Sequence, residues 1–352
     1  MSRVRILALF GDGGQQAGTV SVGERHELVF SAHGFDTLVS WTGREDLSVN
    51  RAALDAAIDE MAPFDAVFCD SPEAVLLHFV RTQRGLRPLP FLINEVDGLR
   101  TARAVQRLVL RHYRCDPLPP ALADPRLLWF SILPDPGTAG AGLGLPADRL
   151  VYLPMARSSV AFFFPDLVAR QDDLIARLGD RAPDPDDRIL GLGSHERDWA
   201  CLDAALRATG LTADVIGNVA DRPAGPIRWL GSQPPGDYLW SIAAAGIVVI
   251  PLRDAGRAAG QLSCALPMRL GKALVATTVP SLAAHVRPGV TGLGYPLGDA
   301  EALGNALLRL ARDPALRRSL GQAAREQEAR LSAAAAAGVE RMLDHLDRWR
   351  SG

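Results

Sequence analysis

The run Val248-Val249-Ile250-Pro251-Leu252 is followed by Gly260-Gln261-Leu262-Ser263 and then by Gly271-Lys272-Ala273-Leu274-Val275-Ala276-Thr277, all within the stretch 248–297. Its first segment is continuously apolar and begins with β-branched residues, which suits a strand covered on both faces of a parallel sheet. The second segment opens a helix whose apolar body is Ala265-Leu266-Pro267-Met268. A helix start presents unpaired N–H groups and the positive end of a dipole, so an anion such as a diphosphate fits there. Pro267 is tolerable only within the first helical turns, which predicts a start near Ser263. The third segment returns as the next strand, and His285-Val286-Arg287-Pro288-Gly289-Val290-Thr291-Gly292 makes the turn after it.

Short apolar runs alternate with helix-length segments on either side of this stretch. They fall at 4–10, 37–41, 66–69, 91–96, 127–133 and 150–154, and again at 188–193, 213–217, 227–231, 246–252 and 273–278. Alternation of this kind argues for parallel βαβ units and an α/β fold class. A chain of 352 residues is long enough for two such domains. The segment 167–187 is polar and ends in Arg181-Ala182-Pro183-Asp184-Pro185-Asp186-Asp187, which places a boundary there and gives domains at 1–168 and 169–331. The closing segment 332–352, alanine-rich and then amphipathic, reads as a helix.

A net charge of −2 leaves no nucleic-acid footprint. Cys69, Cys115, Cys201 and Cys264 lie far apart, with no CxxC pair to suggest zinc or a disulfide framework, and no metal motif appears. No apolar run approaches the roughly 20 residues of a membrane span, and the first strand begins almost at Met1, so a cytoplasmic location is expected. Lys272 is the only lysine, a skew that base composition explains without a functional role.

The residues from Pro251 through Asp299, continuing into Asp313-Pro314-Ala315-Leu316-Arg317-Arg318-Ser319-Leu320-Gly321, resemble the donor domain of two-domain retaining glycosyltransferases of the large family-four group (glycosyl transferases group 1). The resemblance covers most of the second half and the first half only weakly. It implies the GT-B fold, in which two Rossmann-like domains face across a cleft, the nucleotide on the C-terminal half and the acceptor on the other. It further implies that 332–352 packs back on the first domain, that a nucleotide-sugar is the co-substrate, and that neither metal nor other cofactor is required.

Gly191-Leu192-Gly193-Ser194-His195-Glu196-Arg197-Asp198-Trp199 follows a strand and precedes a helix, so Gly193, Ser194 and Arg197 fall at a strand's carboxyl end, where ligands bind in open α/β sheets. Arg197-Asp198-Trp199 is similar to the family's Arg-Asp-aromatic pattern, which implies that Arg197 neutralises the pyrophosphate leaving group. The alternative is a surface pair with Asp198 or Glu196. Arg253 and Arg257 are further candidates for that charge, or solvated loop residues. The resemblance assigns the diphosphate wrap to Gly260, Gln261 and Ser263 and a main-chain grip on the base to the strand end at Gly231. It also implies a spaced pair of carboxylates where this chain has Ala258 and Leu266, and that departure admits weak donor binding, an unusual donor or a domain without catalysis.

In the first half, Gly13 and Gly14 follow the opening strand, either close to an acceptor or in a plain surface loop. Gly23-Glu24-Arg25-His26 resembles the start of the family's first helix, closed by His33-Gly34-Phe35. Asn94-Glu95-Val96-Asp97-Gly98 ends a buried strand where relatives carry a polar residue facing the transferred sugar. Asn94 is thus placed on the acceptor side, and either Glu95 or Asp97 contacts sugar or acceptor hydroxyls, unless Asp97 merely caps the next helix. That helix carries Arg100, Arg103, Arg107, Arg111 and Arg114 along one stripe, which either engages anionic lipid headgroups as a peripheral membrane contact or is a solvated face. Two other readings stand beside a transferase acting on a glycan, lipid or small molecule: a catalytically degenerate protein that binds a partner, and a nucleotide-sugar epimerase of similar architecture.

Overall fold

The computed structural model describes residues 3–9, 19–22, 25–31, 33, 38–41, 47–95, 99–133, 145–179, 187–219, 222, 224–254 and 259–350. The chain divides into two compact units, Met1–Leu153 with Ala337–Gly352, and Pro154–Ala336.

The first unit is built on a seven-stranded sheet in the order β2-β3-β1-β6-β7-β8-β9. Its strands are β1 (Val4–Leu9), β2 (Thr19–Val22), β3 (His26–Phe30), β6 (Ala66–Asp70), β7 (Phe91–Glu95), β8 (Leu127–Ser131) and β9 (Leu150–Tyr152). All neighbours run parallel except β2 against β3. A separate antiparallel ribbon pairs β4 (Val39–Trp41) with β5 (Leu47–Val49). Its α-helices among the described residues before β9 are α1 (Arg51–Glu60), α2 (Ser71–Gln83), α3 (Leu99–Tyr113) and α4 (Leu118–Ala123). Their apolar stripes, for example Leu54, Ala57 and Ile58 of α1, close over Leu7, Leu9, Val67, Ile93 and Trp129 in one core.

Residues 26–30 correct the expectation of a helix after Gly23. In β3 the buried His26 and Leu28 alternate with partly exposed Glu27 and Val29, the period of a strand, and the register pairs Leu28 with Ile6. The run at 37–41 likewise forms only the ribbon strand β4, outside the main sheet.

The second unit begins with α5 (Arg157–Phe163) and α6 (Pro165–Leu178), so the compact division lies at Pro154, ahead of the boundary that composition placed at 168. The cause is packing: Ala156, ahead of that boundary, lies in the second unit's core, against which Leu174 and Ile175 also pack. Its sheet is wholly parallel in the order β12-β11-β10-β13-β14-β15, from β10 (Ile189–Leu192), β11 (Ala213–Ile216), β12 (Ile227–Gly231), β13 (Ile247–Ile250), β14 (Ala273–Thr277) and β15 (Leu293–Tyr295). The helices are α7 (Trp199–Thr209), α8 (Pro235–Ala244), α9 (Gln261–Arg269) and α10 (Ala300–Arg312), with α11 (Pro314–Arg350) running on through both units.

The continuous apolar runs of β13 and β14 are explained by two cores, one on each face. Val248, Ile250, Leu274 and Ala276 pack with α8 and α9, whereas Ile247, Val249, Ala273 and Val275 pack with α7 and α10. Asp198 and Asp299 cap α7 and α10 by accepting from the N–H groups of Cys201 and Ala302 at 2.9 and 2.8 Å. Helix α9 starts at Gln261, two residues before the expected Ser263, so Pro267 sits in its interior and removes one ladder hydrogen bond from a nine-residue helix.

Candidate functional site

The strand order of the second sheet reverses between β10 and β13, and the segments leaving their carboxyl ends meet at that switch point. They are joined across it. Arg197 forms an antiparallel bridge with Leu252, the N–H of Asp198 donates to Pro251 O at 2.8 Å, and the N–H of Arg253 donates to Glu196 O at 3.1 Å. Glu196 adopts a left-handed φ of 53°, one of two such non-glycine residues among those described, and its carboxylate accepts from Arg253 Nε at 3.0 Å. A conformation that costs a non-glycine residue about 1–3 kcal/mol persists here because the joined loops over-determine it.

That turn folds Arg197 inward. Its Nε donates to Leu192 O at 2.8 Å, Nη1 to His195 O at 2.6 Å and Nη2 to Ser263 Oγ at 2.8 Å. The residue is 9% exposed and, among the described residues, makes no ion pair with a carboxylate. Burial pushes its pKa below the ordinary arginine value, and its ionisable neighbours are Cys264, Tyr238, Glu196 and Tyr295. Burial also drives the Cys264 thiol up to about 12 and the Tyr238 and Tyr295 phenols upward, so these three groups are uncharged, and of the four neighbours Glu196 alone offsets the cation. Gly193 makes the pose possible: at φ 112° it carries no side chain where an added Cβ would stand 2.2 Å from Arg197 Nη2.

Ser263 joins Arg197 to the first turn of α9. That helix has Gly260 as its N-cap at φ 90°, no side-chain cap and no acidic residue in the first turn, so among the described residues its leading N–H groups and dipole end have no side-chain compensation. The buried guanidinium and the bare helix start thus put positive potential at one sheet edge, the arrangement that binds phosphate.

Of the donor-side residues singled out from the sequence, Gly193, Arg197, Gly260 and Ser263 come together here. Ser194 lies beside them, its Oγ accepting from Asn218 N at 2.8 Å. Gln261 is 3% exposed, with its Nε2 buried and unpartnered. Gly231 ends β12 at φ 69°, and its carbonyl accepts from Gly217 N at 3.3 Å. Arg253 pairs with Glu196 and is otherwise exposed. Neither alternative surface pair of Arg197 forms: Asp198 caps α7 and Glu196 takes Arg253. Leu266 is a core residue at 6% exposure. Ala258 and Arg257 lie outside the described residues.

In the first unit, Gly13, Gly14 and Asp97 also lie outside the described residues, as does the side chain of Glu95. Asn94 is held by its Nδ2 donating to Asp70 Oδ1 at 2.8 Å across β6 and β7. Arg107, Arg111 and Arg114 are exposed, whereas the side chains of Arg100 and Arg103 are not described. Among the described residues no cluster of His, Cys, Asp and Glu could hold a metal ion, and no helix is long and apolar enough to cross a membrane.

A doubly wound parallel sheet with positive potential at its switch point, following a second sheet of similar build, defines a GT-B glycosyltransferase fold. Residues 203–313 match the family model described as glycosyl transferases group 1. Among solved structures it is similar to a glycosyltransferase of Rickettsia africae, at 13% identity and a TM-score of 0.66 over 99% of each chain. A sucrose-phosphate synthase of Thermosynechococcus elongatus has 16% identity and a TM-score of 0.64, over 97% of this chain and 89% of that one. HepE of Anabaena, solved in complex with UDP, has 15% identity and a TM-score of 0.63, over 97% and 99%. Curated protein sequences gave no match.

Proposed function

We propose that the protein transfers a sugar from a nucleotide-sugar to an acceptor hydroxyl, with the donor diphosphate seated at the carboxyl ends of β10 and β13. The observation that carries this reading is Arg197, a buried guanidinium fixed by three protein acceptors, without a carboxylate partner among the described residues and beside a helix start with no side-chain cap. As the glycosidic bond breaks, charge develops on the leaving phosphate, and a preorganised cation with helix N–H groups stabilises it without reorganising. Retention of configuration follows if the acceptor attacks the face the leaving group departs from and passes its proton to that phosphate, a route that needs no dedicated protein base. UDP bound to HepE supports a uridine nucleotide as the first donor to try.

The test is a thermal-shift screen against UDP-, GDP-, dTDP- and ADP-sugars and their free diphosphates, repeated with Arg197→Ala. Binding stabilises by RT ln(1 + [L]/Kd), about 2.7 kcal/mol at a hundredfold excess over Kd. A base-selective shift that Arg197→Ala abolishes supports the donor site. No shift with any nucleotide favours a transferase-like binding protein without turnover.

We further propose that the arginine stripe of the first unit makes a peripheral membrane contact, a reading one observation supports. Its exposed large apolar side chains among the described residues, Leu86, Leu110 and Tyr113, all lie at the C-terminal ends of α2 and α3, amid Arg84, Arg107, Arg111 and Arg114. A groove of about 540 Å³ beside them is rimmed by Arg51, Arg84, Arg111 and a single carboxylate, Asp55. Apolar side chains among cations suit an anionic lipid interface. Sedimentation with phosphatidylglycerol vesicles, lost in Arg107→Glu/Arg111→Glu and at high salt, is expected; equal sedimentation with neutral vesicles would exclude it.

A further inference from the structure

Beneath the bridge between Arg197 and Leu252 lies a pair of buried hydroxyls that the reaction itself does not use. The N–H of Leu252 donates to Thr277 Oγ1 at 2.8 Å, the Thr277 hydroxyl lies 3.2 Å from Leu252 O, and Tyr295 Oη lies 3.0 Å from Thr277 Oγ1. Leu252 is fully buried, and Thr277 and Tyr295 are each 1% exposed. One donor and two acceptor positions are all that a threonine hydroxyl offers. The Leu252 N–H fills one acceptor position, and the single Thr277 proton is directed to Tyr295 Oη at 3.0 Å and Leu252 O at 3.2 Å. The N–H and C=O of Leu252 therefore both meet one side chain, two residues past the end of β13.

The apolar surroundings make these hydroxyls costly to bury. Tyr295 belongs to the core formed with Val249, Val275 and Leu303, where phenylalanine would fill the same volume without a polar atom. Burial raises the Tyr295 pKa, so the phenol stays uncharged beside the Thr277 hydroxyl. What the pair gains is a fixed Leu252, and Leu252 is the residue against which Arg197 is bridged. From there Arg197 reaches Ser263 at the start of α9.

We propose that Thr277 and Tyr295 are positioning residues for the anion site: they lock the Leu252 main chain and through it set where the Arg197 guanidinium lies. The proposal rests on the reading of Arg197 as the diphosphate ligand. It assigns work to the ends of β14 and β15, apart from the segments that carry Arg197 and Ser263. Removing the Thr277 hydroxyl leaves the Leu252 N–H and C=O both unmet in a dry site, so the main chain must shift to find partners. Removing the Tyr295 hydroxyl leaves Thr277 still bonded to Leu252, so a smaller effect is expected.

The experiment titrates wild type, Thr277→Val, Thr277→Ser and Tyr295→Phe with UDP and with inorganic pyrophosphate, well below the unfolding temperature. The Arg197 Nε–H resonance, assigned by its loss in Arg197→Lys, is followed in parallel without ligand. Thr277→Val should weaken binding about tenfold and Tyr295→Phe about threefold, with Thr277→Ser within about twofold of wild type. In the Arg197→Ala background Thr277→Val should change affinity no further. Nε–H exchange should quicken about tenfold in Thr277→Val, as expected when a hydrogen bond of this strength loosens. A lowered melting temperature with unchanged affinity and unchanged Nε–H exchange would overturn the proposal and leave the pair a core feature only. If wild type binds neither probe, the donor reading fails separately, and the Nε–H line still decides whether the hydroxyls hold Arg197.

Discussion

Gly193→Ala tests the geometry of the site most sharply, because its cost is set by one side chain. At φ 112° an alanine is strained by about 1–3 kcal/mol before any contact is considered. Its Cβ would also stand 2.2 Å from Arg197 Nη2 and 2.6 Å from Cζ and Nε, so the guanidinium must leave. Leaving forfeits hydrogen bonds to Leu192 O, His195 O and Ser263 Oγ, each contributing about 0.5–1.5 kcal/mol net, although solvation of the freed cation returns part of that. A total near 3 kcal/mol follows, which for a unit of this size lowers the melting temperature by roughly 6–12 °C. Calorimetry on Gly193→Ala, Arg197→Ala and the double variant reads it directly. In the absence of the guanidinium only the backbone strain remains, so the glycine substitution should cost clearly less in the Arg197→Ala background than in wild type. Diphosphate affinity should fall in Gly193→Ala as in Arg197→Ala. An equal cost in both backgrounds, or a Gly193→Ala protein that binds diphosphate like wild type, would refute the argument that Gly193 exists to seat Arg197.

Two further outcomes follow from buried groups. His285 is fully buried, its Nε2–H donating to Met155 O at 2.7 Å while Nδ1 has no partner, and burial lowers its pKa below the usual 6.5. The native state therefore resists a proton that the unfolded chain accepts: the stability contribution is full above about pH 6.5 and is lost as pH falls below it, by at most about 1.4 kcal/mol per pH unit. Urea unfolding between pH 7.5 and 5.5 should show this slope, flattened in His285→Gln; equal slopes would remove His285 from the account. Leu266→Glu should destabilise the second unit by several kcal/mol and leave nucleotide affinity no better, because it puts an unpaired carboxylate into a core position. Tighter nucleotide binding at unchanged melting temperature would instead mean that position 266 faces the donor.

The fold of the second unit was legible because a strand buried on both faces has no alternation to misread. Runs such as 227–231 and 273–278 differ from β12 and β14 by a residue at most. The first unit was harder wherever the strand was short and polar: His26-Glu27-Leu28-Val29-Phe30 carries a histidine and a glutamate, and its period of two spans too few residues to outweigh a glycine-led pattern suggestive of a helix start. The sequence places the start of the closing helix near 332, yet α11 starts at Pro314, because Gly321 weakens but does not break the helix between Arg317 and Leu331.

The site divides along a different line, between residue type and torsion. Glycine, arginine and serine at strand ends are visible as letters, and Gly193, Arg197, Gly260 and Ser263 could be named from them. The direction of Arg197 could not, since it depends on φ values of 112° at Gly193 and 53° at Glu196, and glutamate is not a residue from which a left-handed turn is inferred. Thr277 and Tyr295 were invisible for a related reason: within Gly271–Thr277 and at a strand end they read as ordinary β formers, and only the register of β13, β14 and β15 brings their hydroxyls under Leu252. A switch-point site built in this way takes its charge from one side chain and its geometry from main chain held by neighbouring strands. Substitutions that leave every phosphate-facing residue intact should therefore still alter affinity, provided they act where the main chain is fixed.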